Sequence, residues 1–138
     1  MRKRWMLLPL CGALAAVSAG AQSVGQNRPV MIGLDGPDFD ACGALGEVAN
    51  LNPRGDNYLS VRASPSTSGT ELNRLGPGTR VLLCDGEGDG WIGIVYGSGA
   101  DGELLDCQAT DLVPQPRAYD GPCNSGWVHG DYISVIAG

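Results

Sequence analysis

Between Asp85 and Gly90 the chain alternates acid and glycine: Asp85, Gly86, Glu87, Gly88, Asp89, Gly90. Oxygen ligands at every second residue with a glycine at the sixth are what a helix–loop–helix calcium loop uses, drawing ligands from positions 1, 3, 5 and 12. Counted from Asp85, position 12 is Tyr96, which has no carboxylate to close the site, and no helical pattern flanks the run. What is left is a hairpin tip, where glycine takes positive φ and aspartate supports the turn. Other chemistries fail on residue types. His129 is the one histidine in the chain, so no spaced His or Cys pair is available for zinc. There is no Cys-x-x-Cys, no Gly-x-Ser-x-Gly, and no glycine loop followed by lysine that would cradle phosphate. A Cys–His hydrolase needs a free thiolate, and the cysteine count argues against one. Neither catalysis nor a cofactor or metal is expected. Arg54-Gly55-Asp56 resembles an integrin-binding tripeptide, but Asn, Pro, Gly and Asp around it are what any turn needs.

The compartment is written at the start. Arg2, Lys3 and Arg4 precede an uncharged run from Met6 to Val17, and Ala19-Gly20-Ala21 supplies small residues for cleavage. This is the order of a secretory signal peptide over residues 1–21, too short for a spanning helix. Leu10 before Cys11 does not suit a lipidation motif. The leader carries three of the nine basic residues and none of the fifteen acids, so the remaining chain has 6 against 15, a net charge of −9. Such a chain repels nucleic acid and anionic membranes, and its arginines are scattered rather than clustered. Four cysteines remain, Cys42, Cys84, Cys107 and Cys123. An even number in an exported domain implies two disulfides, with three pairings that spacing alone does not choose between. A periplasmic or secreted monomer is expected.

The elements that must position these residues are short. The 117 residues after the leader suffice for one domain, and 22 Gly and 9 Pro in the chain favour turns and an all-β fold. Residues 22–41 carry no sustained period and read as a linker or N-terminal extension before a domain at 42–138. In 57–63 (NYLSVRA), Leu59 and Val61 share one face while Tyr58, Ser60 and Arg62 share the other. TELNRL (70–75) follows as a short strand with Leu72 and Leu75 inward, then TRVLLC (79–84), the acidic tip, and WIGIVYG (91–97). Residues 98–125 break the rhythm with a polar insertion. A free loop of that length is unusual in a small domain, so a Cys107–Cys123 staple is expected there, which leaves Cys42 to pair with Cys84. GWVHGDYISVIAG (126–138) gives a strand, a turn and a closing strand.

This order resembles bacterial SH3-like (SH3b) domains. YLSVRASPSTSGTELNRLGPGTRVLL matches their opening, GDGWIGIVY their hairpin with tryptophan at the start of the third strand, and GWVHGDYI their closing element. DACG near the start, GPCNSGWV and a terminal IAG look like small exported SH3 domain-containing proteins of proteobacteria. The resemblance implies a small, partly open β-barrel used for binding in the cell envelope. It also implies a ligand groove built from Tyr58, Trp91, Trp127, His129 and Tyr132, whose flat faces suit peptidoglycan or a wall-associated peptide. A cell-wall polymer or an envelope protein is the expected partner. The alternative is an inhibitor or immunity-type protein that acts through the acids of the insertion (Asp101, Glu103, Asp106, Asp111 and Asp120) on a basic partner.

Overall fold

Alternation builds the sheet, and the computed structural model, which describes residues 12–13, 27–100 and 102–138, follows it closely. The leader reading rests almost entirely on residues outside these, as do Cys11 and Asp101. Among the described residues there are nine strands: β1 (Met31–Ile32), β2 (Ala44–Val48), β3 (Leu59–Arg62), β4 (Glu71–Leu75), β5 (Arg80–Glu87), β6 (Trp91–Tyr96), β7 (Arg117–Ala118), β8 (Asn124–His129) and β9 (Ile133–Ala137). One 3-10 turn, Gly130–Tyr132, joins β8 to β9. Seven strands form an antiparallel sheet in the order β4-β3-β8-β6-β5-β2-β9, and β1 pairs with β7 in a second sheet. Among the described residues no helix is long and apolar enough to cross a membrane.

The large sheet curls because one cluster draws on all of it. Val48 of β2, Leu59 and Val61 of β3, Leu75 of β4, Val81 of β5, Ile94 of β6 and Val128 of β8 bury together, with Ile133 of β9 against them. A sheet whose every strand sends a side chain to one point wraps around that point, while β4 and β9 remain as edges. The fold is therefore all-β and partly open, as the sequence predicts. Burial also pushes the Tyr96 phenol up from its ordinary range, so it stays neutral inside this core.

The outer face of the same sheet is covered as well, and here the sequence reading needs correction. Ile32, Ala41, Cys42, Ala109 and Val113 pack on Leu82 of β5 and Val95 of β6 in a second core. Residues 27–41 are not a linker: Val30 and Ile32 are buried, and their backbone bonds run to the insertion, Tyr119 N–H to Val30 C=O at 2.9 Å and Cys42 N–H to Ala109 C=O at 2.8 Å. The N-terminal segment and the insertion, some 80 residues apart, make one layer together. Burial on both faces explains why WIGIVY is a continuous apolar run rather than an alternating one. The domain boundary expected at residue 42 thus falls inside a packed unit.

Both expected disulfides are present. Cys42 and Cys84 lie with Cα atoms 4.3 Å apart and Cys107 and Cys123 with theirs 5.2 Å apart. The second closes the insertion, and Tyr119 clasps it: its hydroxyl donates to Cys107 C=O at 2.8 Å and accepts from Cys123 N–H at 2.9 Å.

Leu72, expected inward, is 54% exposed. Alternation explains it. Leu75 faces Leu59 and Asn73 faces Val61 on the inner side, so Leu72 falls on the outer side, and the bulge between Val61 and Arg62 leaves it without a cross-strand partner. The glycine of the GWV element also has a specific reason. A Cβ on Gly126 would sit 2.4 Å from Val61 Cγ1 and 3.0 Å from Arg62 C=O. A Gly126→Ala protein is expected to lose about 1–3 kcal/mol, read as a lower urea midpoint, because overpacking at a strand crossing forces the core apart.

Candidate functional site

Three aromatic side chains are set side by side by backbone register. Trp91 opens β6 directly opposite His129, the last residue of β8. Their rings meet edge to face, centroids 5.4 Å apart. The chain then turns at Gly130–Tyr132 and brings Tyr132 within 6.4 Å of His129, again edge to face. Such pairs are favourable beyond their buried area. The His129 ring is fixed from below, since its Nδ1 accepts from Asp131 N–H at 3.3 Å. The turn itself is tied to the acidic tip by Gly130 N–H donating to Gly90 C=O at 2.7 Å.

The tip is a hairpin loop. Gly90 closes it with φ of 84°, and Gly90 N–H bonds back to Glu87 C=O. Two of its three acids are tied to the N-terminal segment, while Asp89 is exposed. Asp85 Oδ2 accepts from Met31 N–H at 2.9 Å, and Glu87 pairs with Arg28. Both carboxylates hold the N-terminal segment against the sheet. Among the described residues no three His, Cys, Asp or Glu side chains gather as a metal site.

Across from Trp91 stands the β3–β4 hairpin. Tyr58 precedes β3, and the Arg74 guanidinium stacks over its ring at 4.3 Å. Arg74 bonds Glu71 at 2.7 Å, and Glu71 accepts from the Ser60 hydroxyl. That hydroxyl, then Arg74, holds the Glu71 carboxyl below its ordinary value of 4.5. A carboxyl held down in this way stabilises the fold above that value and stops doing so as acid protonates it. Tyr58 ring resonances should therefore shift as the pH falls below 4.5, and Glu71→Gln should abolish that transition. Arg62 points the same way as Ser60 and donates to Gly69 C=O at 2.9 Å, pinning the loop at 64–69.

Between these walls lies a hollow of about 520 Å³ lined by Tyr58, Trp91, His129 and Tyr132. Four of the five expected groove residues are thus brought together. The fifth is not. Trp127 is fully buried: it alternates with Val128, which fills the inner core, and shares the outer face with His129 two residues on, but its part of that face is covered. Its Nε1–H donates to Arg28 C=O at 2.8 Å, and the Arg28 guanidinium lies over its ring at 5.1 Å. The N-terminal segment, read as a linker, is what covers it.

The floor and rim come from residues to which the sequence reading gave no part in the groove: Asn50, Leu51, Asn52 and Asp56 from the β2–β3 loop, with Thr67 from the next. Asn50 Nδ2 donates to Asp131 C=O at 3.1 Å, and Asn52 Oδ1 accepts from Arg54 N–H at 3.0 Å. Each anchors one end of its amide and lines the hollow. The signal that could have found them is the density of amides and acids in NLNPRGDN, next to a strand that carries an aromatic residue. Comparison of the chain with protein-family models, with curated proteins and with solved structures gives no match.

Proposed function

We propose that this chain is a noncatalytic binding module of the cell envelope that holds peptidoglycan or a wall-associated peptide in the groove between Trp91 and Tyr58. The observation that carries this reading is the half-open aromatic wall Trp91–His129–Tyr132, fixed on strand ends and a hydrogen-bonded turn, facing a hollow of ligand size. The resemblance to SH3b domains supports it, as does the pair of disulfides, which suits an oxidising compartment. Noncatalytic use fits the chemistry present. All four described cysteines are in disulfides, so none is a thiolate nucleophile, and His129 Nδ1 is occupied by a backbone N–H. Purified protein should pellet with insoluble sacculi, and Trp91→Ala should abolish pelleting while leaving thermal stability within about 1 kcal/mol of the parent, since Trp91 is only half-buried. A protein that stays in the supernatant sinks the proposal.

A second reading, an inhibitor or immunity-type protein, keeps one observation in its favour, but at a different place. Two acids of the insertion are engaged locally, Asp106 by Gln108 N–H and Asp120 by Arg117. Asp35, Asp38 and Asp40 instead line an open hollow with Phe39, which is 62% exposed. A basic partner captured there would be released by salt, because exposed charges are screened within about 8–10 Å at ordinary ionic strength. Capture that withstands high salt would remove this reading.

A further inference from the structure

The groove's lining distinguishes between the two chemistries that a cell wall offers. A wall peptide is extended and anionic, with free carboxylates. A wall glycan is a neutral chain of pyranose rings that carries hydroxyls and acetamido groups. The groove has one broad aromatic wall, at Trp91 and Tyr132, and a rim whose side chains are mostly uncharged amides and hydroxyls. Two charges of the lining make no ion pair among the described residues: Asp56, which also makes no hydrogen bond, and Arg62, which gives one donor to Gly69 C=O. Glu71 is taken by Arg74 and Ser60, so Asp56, Glu71 and Arg62 leave the lining at a net −1. The whole chain after the leader carries −9. An anionic peptide meets repulsion from the rim and from the molecule at large.

We infer that the groove takes a neutral acetamido-sugar oligomer: one pyranose ring stacks on Trp91, with its hydroxyls and acetamido group bonded by the side-chain amides of Asn50 and Asn52 and the carboxylate of Asp56. This rests on the binding role proposed above and names the part of the wall that is read. The apolar face of a pyranose lies flat on an aromatic ring, and its hydroxyls are at once donors and acceptors. They therefore need a rim that supplies both, in numbers. Asn50 offers its carbonyl oxygen and its remaining amide hydrogen, since only one N–H is committed to Asp131 C=O. Asn52 offers its NH₂, because its oxygen is taken by Arg54 N–H. Asp56 can accept from two neighbouring hydroxyls. A hollow of about 520 Å³ is within the ordinary range for a small ligand, about 300–1,000 Å³. The amides are preset by bonds to backbone, so little ordering is left to binding.

The test uses the full chain expressed with its leader and purified after processing. Of its three tryptophans, Trp5 lies in the leader and Trp127 is fully buried, so the fluorescence that responds to a ligand reports Trp91. Titration with an N-acetylglucosamine tetramer should give a saturable change. Glucose tetramer, which lacks the acetamido group, should bind more weakly, and a synthetic wall stem peptide should not compete. Trp91→Ala should weaken tetramer binding, followed by calorimetry, by at least about tenfold. Asp56→Asn, a surface change that leaves folding intact, should weaken it several-fold. Binding to sacculi that the stem peptide displaces and the sugar tetramer does not would overturn the sugar assignment and leave the binding role standing. Absence of binding to sacculi and to the tetramer would remove both. Tetramer binding unchanged in both variants would overturn the groove as its site.

Discussion

Replacing Cys42 and Cys84 together by serine is expected to lower unfolding stability by about 4 kcal/mol, and replacing Cys107 and Cys123 by about 3 kcal/mol. The loops closed are 42 and 16 residues long, and a cross-link restricts the unfolded chain more when its loop is longer. The difference between the two is small. The location makes the first the more consequential. Cys42 is buried where the N-terminal layer enters β2, and Cys84 lies beside Asp85, whose carboxylate holds Met31 N–H. The bridge and the carboxylate fasten the two layers at neighbouring points. Small domains have only about 5–15 kcal/mol in total, so the first variant should be marginal at 37 °C. Urea denaturation of the parent and both double-serine proteins measures this. Proteolysis should then cut first within residues 27–41. If the Cys42/Cys84 variant keeps the parent's midpoint, the bridge is not what holds the layers together.

The strands were legible because one rule governs them. Leu59 and Val61 alternate with Ser60 and Arg62, and the structure buries the first pair and turns the second toward the groove. The insertion's staple was legible because a long polar loop has no other means of closing. What could not be read was everything that depends on distant pairing. Val30 and Ile32 belong to a three-residue apolar run in an otherwise aperiodic stretch, and their partners are Tyr119, Arg117 and Val95, far along the chain. A local window has no period to detect there. Trp127 failed for the same reason. Position in the GWVHGDY element suggested a groove wall, and only the presence of Arg28 above the ring turns that tryptophan into core. The resemblance gave the neighbourhood of the site, namely Trp91, His129, Tyr132 and Tyr58. The rim residues Asn52 and Asp56 were hidden behind an adequate local explanation, a turn, and Asn50 carried no signal of its own. A turn's amides and acids satisfy its backbone with some of their atoms and leave the others pointing outward.

Truncating Trp127 to alanine should cost about 3–5 kcal/mol, the range for emptying an aromatic site in a packed core. The residue is 0% exposed, and its loss does three things at once. It leaves a cavity under the N-terminal segment. It leaves Arg28 C=O without the Nε1–H that satisfies it at 2.8 Å, and it takes away the ring on which the Arg28 guanidinium rests. Trp127→Phe separates these effects. The ring and most of the volume remain, so the expected loss is smaller, about 1–3 kcal/mol, set by the orphaned carbonyl and the missing part of the indole. The contrast with Trp91→Ala is the check on the architecture. If removing Trp127 costs no more than removing Trp91, measured by urea unfolding, the segment does not cover the outer face as described. There is also a functional consequence. β3 meets β8 through a single paired position, Arg62 opposite Trp127, and β3 with the residue before it carries Tyr58, Ser60 and Arg62 toward the groove. With Trp127 truncated, that pairing loses its support, and the wall bearing Tyr58 can drift from the wall bearing Trp91. Ligand binding should then weaken in Trp127→Ala although Trp127 touches no part of the hollow, and Trp127→Phe, with the strand still supported, should recover most of it.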